Sequence, residues 1–224
     1  ATADDQSFFH WELEYPEVFF GEDGEKRDTA GFDAVIGNPP YAPIQRLPDS
    51  DTSYYNTDYE SASGSYDLYA LFIEKGLDLI SDTSKFGFII PNKIFQVDYG
   101  EPLREILSTN KQVSGVVNFG SNQVFAEAAT TYTTLLFLQG SEVEEAFTYW
   151  ELRDDSNPST INQLEDSERW LKNTFSNDEL SESIWGFQPE EISSIIEKSE
   201  QQSTLLGELA GGISRGTSSG RDQI

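Results

Sequence analysis

Four short apolar runs in the first 140 residues constrain the fold of this chain more than any other feature. Each is rich in strand-forming residues and is bounded by Gly, Pro or Asn, a pattern typical of buried strands. The runs are FDAVIG at 32–37, KFGFIIP at 85–91, QVSGVVNFG at 112–120 and TTYTTLLFLQ at 130–139. Between the first three, SYDLYALFIEKGLDLIS and EPLREILST carry apolar residues at helical spacing. This alternation predicts a parallel α/β sheet with helical crossovers, in which the final strand could be antiparallel.

The chain changes character after residue 140. Acids, Ser, Asn and scattered aromatic residues replace the periodic pattern, which indicates a linker or peripheral elements. The segment PEEISSIIEKSE at 189–200 predicts a helix with Pro189 in its first turn. The tail at 206–224 is rich in Gly and Ser and carries Arg215 and Arg221.

The charge of the chain is strongly negative, since 40 acidic and 14 basic residues give a formal net charge of −26. Such a charge ordinarily argues against a polyanionic partner, because proteins bind nucleic acid by neutralising phosphates with Lys and Arg. The acids are spread along the chain among aromatic and aliphatic residues, which is typical of a folded protein. We therefore interpret the charge as a surface adapted to high salt, as in a halophile, and not as a guide to the ligand.

Location and processing signals are sparse. No run approaches the roughly 20 apolar residues that span a bilayer, and the N-terminus does not resemble a signal peptide, so we expect a cytoplasmic protein. The absence of cysteine excludes disulfides and thiolate metal sites. The chain has no methionine and begins at Ala1, so we expect it to be a piece of a longer protein.

The first strand is followed at once by Asn38, Pro39, Pro40 and Tyr41. Ligands of open α/β sheets bind beyond the carboxyl ends of the strands, so this is a favourable position for a site. The two prolines make the turn stiff and offer carbonyl acceptors without competing N–H donors. Together, the Asn38 side chain and a neighbouring carbonyl could accept both hydrogens of a planar amino group while Tyr41 stacks on the ring that carries it. The motif alone also fits a proline-rich turn in which Asn38 is a local cap.

A longer set of motifs resembles a known family. The segments FHWELEYPEVF, GFDAVIGNPPY, YDLYALFIEKGLDLI, KFGFIIPNKIF, YGEPLREIL and VVNFGSNQVFAEAATTYTTLLFL occur in that order over residues 8–140. They resemble the catalytic domain of gamma-class adenine-specific DNA methyltransferases from restriction-modification and phage-exclusion systems. The tail GGISRGTSSGRDQI is similar to the opening of the target-recognition domain of the same enzymes.

The resemblance implies a fold and a domain plan. The fold class is α/β, a partial Rossmann-like methyltransferase sheet with flanking helices followed by a mixed peripheral segment. Residues 1–145 would form the C-terminal half of the catalytic domain, 146–203 a linker or peripheral α+β segment, and 204–224 the start of the target-recognition domain.

The resemblance also implies roles for individual residues. S-adenosylmethionine would be the methyl donor, and the full-length protein would bind double-stranded DNA and flip the target adenine out of the duplex. The Asn38 side chain and the Pro39 carbonyl would accept the two amine hydrogens, with Tyr41 and Phe125 stacked on the base. Phe72 would pack on the adenine of the cofactor. Phe72 and Phe125 could equally be core phenylalanines.

The sequence departs from the family pattern in one respect. The family's glycine-rich cofactor loop lies before the Asn-Pro-Pro-Tyr strand, and residues 1–30 contain no candidate for it. The cofactor site is therefore expected to be incomplete and the isolated chain to be inactive. One edge of the sheet would be unpaired, so self-association through that edge is plausible.

Candidates for DNA contact are Lys93, Arg46, Arg215 and Arg221, each of which could instead be an ordinary surface charge. No metal site is predicted, because the sequence places no Cys or carboxylate at ligand spacing from His10, the single histidine.

Asp33 and Glu74 could form a carboxylate pair, but both are interpreted as structural residues. Two alternative functions remain open at this stage. One is a protein-glutamine methyltransferase, which would share the Asn-Pro-Pro-Tyr motif, and the other is a non-catalytic scaffold that binds DNA or protein.

Overall fold

The computed structural model describes residues 9–122, 124, 132–141, 145–153, 169–188 and 198. The helices of this part are α1 (Trp11–Glu14), α2 (Pro16–Phe19), α3 (Asp49–Asp58), α4 (Leu68–Leu79) and α5 (Glu101–Thr109). The strands are β1 (Phe32–Gly37), β2 (Ile80–Pro91), β3 (Val113–Asn118), β4 (Thr133–Gln139), β5 (Ala146–Leu152) and β6 (Trp170–Ser176). One compact unit extends from Ala1 to Phe187, and Gln188–Ile224 forms a second. Among the described residues, none of the helices is both long and apolar enough to cross a membrane.

The six strands form one mixed sheet in the order β1-β2-β4-β3-β5-β6. Strand β1 is parallel to β2, and β3 is parallel to β5. Strand β4 is antiparallel to both of its neighbours, as the sequence allowed, and β6 is antiparallel to β5. Because β4 reverses between β2 and β3, the strands β1, β2, β3 and β5 all point the same way. Their carboxyl ends therefore meet at one edge, which we call the carboxyl edge.

One face of the sheet is covered by α4 and α5. Alternation along β2 points Phe86, Phe88 and Ile90 to this face, and they join one buried cluster with residues of both helices. In α4, Gly76 lies directly over the ring of Phe86, so a Cβ at this position would collide with that ring. Helix α5 contributes Leu103 and other apolar residues from its amphipathic inner side. The helices predicted between the first three strands are thus confirmed.

The other side of the sheet carries an apolar surface, which we call the open face, formed by Ile36, Gly87, Gly115, Phe137 and Trp150. The Phe137 ring lies over both neighbouring strands, because a Cβ at Gly87 would be 3.3 Å from one ring edge and a Cβ at Gly115 would be 3.5 Å from the other. Ile36 is 85% exposed and Phe137 is 38% exposed. Glycine on each side lets the aromatic ring lie flat against the sheet.

The segment after residue 145 adds two strands to the sheet. The sequence predicted a linker or peripheral α+β segment from 146 to 203, and within it β5 and β6 extend the sheet at one end, in the compact unit that ends at Phe187. Only Phe147, Tyr149 and Leu152 of β5 are fully buried, so its sequence AFTYWEL lacks the continuous apolar run of a central strand. The helix predicted at 189–200 lies outside the described residues, apart from residue 198.

Helix α3 was not predicted either. It has no buried residue and no apolar stripe. Its first turn contains Asp49 and Asp51, whose carboxylates favour the positive end of a helix dipole. The backbone N–H groups of Asp51 and Thr52 donate to the carbonyl of Pro48, which starts the helix.

Candidate active site

The Asn-Pro-Pro-Tyr turn lies at the carboxyl edge, as the sequence predicted. Strand β1 ends at Gly37, which pairs with Phe88 of β2 so closely that a Cβ on Gly37 would be 3.0 Å from the Phe88 ring. Pro39 is buried, while Asn38 and Pro40 are exposed. The turn is therefore fixed by Pro39 and presents the amide of Asn38 outward.

Tyr41 is held in a defined orientation. Its hydroxyl donates a hydrogen bond of 2.8 Å to the carbonyl of Ile89 in β2. The Tyr41 ring contacts the Tyr69 ring in an edge-to-face arrangement, with the two centroids 6.4 Å apart. Burial raises the pKa of the Tyr41 phenol to about 12, so the side chain is neutral at physiological pH. The ring is thus pre-oriented before any ligand arrives.

The residues that follow the turn are clamped to the start of α4. The backbone N–H of Leu68 donates to the carbonyl of Ala42 at 2.8 Å, and that of Ile44 donates to Tyr66 at 3.0 Å. Ile44 is itself buried in a small apolar cluster with Tyr66 and other residues. The motif is therefore tied to β2 on one side and to α4 on the other.

A cavity of about 360 Å³ opens beside β1, and several of the predicted site residues line it. Its lining includes Asn38, Pro39, Pro40 and, from α4, Phe72. This volume is within the range of small-molecule sites. The side chain of Phe72 is 47% exposed, so it is not the ordinary core phenylalanine that its helical spacing allowed. The structure thus brings Phe72 into the same cavity as the turn.

The remaining predicted site residues are more scattered. Lys93 is exposed in the 3-10 turn that begins directly after β2, and therefore lies at the carboxyl edge. Arg46 is exposed in the 3-10 turn Ile44–Arg46. Phe125, Arg215 and Arg221 lie outside the described residues.

Two asparagines at this edge were missed by the sequence reasoning. The Asn118 side chain, at the end of β3, donates to the Tyr149 hydroxyl at 2.9 Å and accepts from the Gly120 N–H at 3.0 Å. The Asn92 side chain, just after β2, reaches the Asn118 oxygen at 3.4 Å. Asn92 and Asn118, like Asn38, follow or end an apolar run, which is the signal that could have found them. Their contacts fix the ends of β2 and β3 relative to each other.

The residues interpreted as structural include Glu74, and the structure agrees. Its carboxylate accepts the backbone N–H groups of Glu60 and Ser61 at 2.9 and 2.8 Å, which closes the loop before α4. Across the described ranges, no group of acidic residues and histidine could hold a metal ion.

Comparison with known proteins identifies the family. The model of the Eco57I restriction-modification methylase family matches residues 1–125, which is more than half of the chain. The chain belongs to this family. This family member is 33% identical over 183 residues to the type II restriction enzyme and methyltransferase RM.Eco57I of Escherichia coli. That match covers 80% of this chain and 18% of the relative.

A second relative of this family member is the type II methyltransferase M.BstVI of Geobacillus stearothermophilus, 27% identical over 115 residues. That match covers 51% of the chain and 20% of the relative. The chain therefore spans about a fifth of the length of these curated relatives. Among solved structures, a modification subunit of a putative type I restriction enzyme from Vibrio vulnificus YJ016 is similar, with a TM-score of 0.51. It is 13% identical, and the match covers 80% of this chain and 42% of that one.

The comparisons and the sheet together confirm the predicted fold class. The six-stranded mixed α/β sheet with helices α4 and α5 is consistent with a Rossmann-like methyltransferase fold. Asn38 lies at the carboxyl edge because it directly follows the last residue of β1. In sheets of this architecture, ligands bind at that edge.

Proposed function

We propose that this chain is part of a gamma-class DNA methyltransferase that acts in a restriction-modification system. The reaction is transfer of a methyl group from S-adenosylmethionine to the exocyclic amine of a flipped adenine in DNA. The observation that carries the proposal is the cavity shared by Asn38, Pro39, Pro40 and Phe72, with Tyr41 fixed beside it by Ile89. The relatives named as restriction-modification methyltransferases support the same reaction class.

The chemistry follows from the acceptors at the turn. The Asn38 side-chain oxygen and the Pro39 carbonyl accept the two hydrogens of the amine, which directs its lone pair away from the turn. The nitrogen forms its new bond to the methyl carbon, the bond from sulfur to that carbon breaks, and a proton leaves the amine for solvent. Positioning and electrostatic complementarity carry a transfer of this kind. Tyr41 provides a ring face for the flipped base, and a base stacked on an aromatic side chain gains about 1–3 kcal/mol.

The cavity fits part of the methyl donor. Phe72 offers an accessible apolar ring on which the adenine of S-adenosylmethionine could stack. S-adenosylmethionine, when bound, supplies an electrophilic methyl group. We propose that its ribose and amino-acid portions are held by a part of the full-length protein outside this chain, since residues 1–30 contain no glycine-rich loop of the required type. On this proposal the isolated chain binds the cofactor weakly or not at all.

Contacts with double-stranded DNA would come from few basic residues, because the chain has a net charge of −26. We assign this role to Lys93 at the carboxyl edge and to Arg46, with Arg215 and Arg221 at the start of a target-recognition domain. The proposal also includes a cytoplasmic location, adaptation to high salt, and self-association of the isolated chain through β1, which is an edge strand of the sheet that the described residues form.

The test uses the full-length protein with Asn38→Ala. Methyl transfer to duplex DNA should be abolished while DNA binding is largely retained, because Asn38 contacts only the reacting amine. Asn110→Ala is the matched control, since Asn110 is exposed at the C-terminal end of α5. Methyl transfer that persists in Asn38→Ala would contradict the proposed mechanism. Methylation of a glutamine-containing peptide but not of DNA would identify a protein glutamine, and not adenine, as the substrate.

A further inference from the structure

Arg104 of α5 is a buried cation that the proposed reaction does not use. Its side chain is only 2% exposed. Nη1 donates to the carbonyls of Ile94 and Val97 at 2.7 and 2.8 Å, and Nε donates to the carbonyl of Glu182 at 2.9 Å. All three of these acceptors are backbone oxygens. Burial lowers the pKa of the guanidinium, which nevertheless remains charged.

Two segments meet at this guanidinium. The first is the loop after β2, Asn92–Gly100, which consists largely of two short 3-10 turns. The second is Leu180–Phe187, which we call the strap. A Cβ on Gly100 would lie 2.6 Å from both the Arg104 Nη1 and the Ile94 carbonyl oxygen, so the loop closes tightly around the cation.

The strap holds the same loop a second time. The backbone N–H of Trp185 donates to the Phe95 carbonyl at 2.9 Å, and the rings of the two residues stack with centroids 5.9 Å apart. The Trp185 indole N–H donates back to the Ser181 carbonyl within the strap. The loop therefore has no freedom to shift without breaking contacts to both α5 and the strap.

The loop carries one of the candidate DNA contacts. Lys93 is exposed and lies directly beside Ile94, whose carbonyl accepts from Arg104. The preceding strand, β2, ends at the carboxyl edge, and its Ile89 carbonyl accepts from Tyr41. The anchor at Arg104, the charge of Lys93 and the Asn-Pro-Pro-Tyr turn are thus linked through one short stretch of backbone.

We propose that Arg104 is a positioning residue for DNA binding: it fixes the loop after β2 so that the Lys93 ammonium meets a DNA phosphate beside the turn. The inference rests on the proposed function. Short 3-10 turns are weakly stable by themselves, so an external anchor decides where such a loop lies. Arginine suits this role better than lysine, because its rigid fork reaches acceptors in several directions at once.

The test measures DNA affinity of the full-length protein as a function of salt concentration. Lys93→Ala should lower the slope of log affinity against log salt by about one, as expected for the loss of one phosphate contact. Arg104→Gln should lower it by a similar amount, because Lys93 then no longer holds its position. The double variant should lose no more than either single variant, and Arg104→Lys should restore part of the slope. Arg27→Gln, an exposed arginine, is the matched control.

The outcomes separate this inference from the proposed function. If Arg104→Gln lowers only the melting temperature and keeps the full salt slope, or if its effect adds to that of Lys93→Ala, the positioning role is wrong. If the protein methylates DNA but Lys93→Ala leaves the slope unchanged, the inference fails together with the DNA contact assigned to Lys93, while the proposed methyl transfer stands. If the unaltered protein neither binds nor methylates DNA, both fail together. Should Arg104→Gln not fold, Arg104→Lys takes its place in the same cycle with Lys93→Ala.

Discussion

The Tyr41 hydroxyl donates a hydrogen bond of 2.8 Å to the backbone carbonyl of Ile89, a residue 48 positions later in the chain. This bond joins the Asn-Pro-Pro-Tyr turn to the neighbouring strand of the sheet. The tyrosine therefore has two separable functions in our proposal, since its hydroxyl orients the turn and its ring stacks on the base.

Tyr41→Phe and Tyr41→Ala should separate these functions in the full-length protein. Loss of the hydroxyl should cost about 1 kcal/mol of stability and slow methyl transfer only modestly. Loss of the ring should weaken the complex with a flipped base by about 1–3 kcal/mol. Methylation kinetics and the fluorescence of 2-aminopurine at the target position measure the two effects. Tyr132→Phe, at an exposed tyrosine, is the control, and equal effects of Phe and Ala at position 41 would contradict the stacking role.

The pH dependence of stability should carry a signature of Tyr41. Burial raises its pKa from the ordinary value of 10.0 to about 12. The folded state therefore holds the phenolic proton more tightly than the unfolded chain. Its stabilising contribution is complete below about pH 10 and is lost as the pH rises toward 12. Between pH 9 and 11.5, the free energy of unfolding measured with urea should fall less in Tyr41→Phe than in the unaltered chain. Equal falls in the two proteins would contradict the contribution assigned to Tyr41.

Phe72 and Phe86 form a matched pair of phenylalanines, one exposed and one buried. Phe72 is 47% exposed in the cavity, whereas Phe86 is 2% exposed beneath Gly76. Phe86→Ala should therefore lower the free energy of unfolding by about 3–5 kcal/mol. Phe72→Ala should change it by less than about 1 kcal/mol but weaken S-adenosylmethionine binding to the full-length protein. Denaturation and calorimetry test the pair, and unchanged cofactor affinity in Phe72→Ala would remove Phe72 from the cofactor site.

Salt should stabilise the chain if the acidic surface is an adaptation to high salt. A net charge of −26 destabilises the compact state by self-repulsion, and added salt screens it. We expect the melting temperature to rise steadily between 0.1 and 2 M potassium chloride. A melting temperature that is independent of salt would contradict the halophile interpretation.

The sequence predicted β2, β3, β4, α4 and α5 because these elements bury continuous or periodic apolar runs. It also predicted β1 as a strand, but the expectation that this strand is buried was wrong, since β1 lies at one end of the described sheet and none of its residues is fully buried. It missed α3, which has no fully buried residue, and β5, in which only Phe147, Tyr149 and Leu152 are fully buried. The position of Asn38 was predictable because it depends on one strand and its end. The anchor at Arg104 was not, since it depends on carbonyls from a distant segment, including Glu182.

The apolar open face and the acidic surface of this chain respond to salt in opposite ways. Phe137 lies across two glycines, and Ile36 is almost wholly exposed nearby, so apolar surface remains in contact with solvent. Salting-out ions strengthen the attraction between such surfaces while they screen the acids. The isolated chain should therefore have an optimum salt concentration for handling. Below it the fold weakens by repulsion, and above it copies precipitate through the face that Phe137 covers.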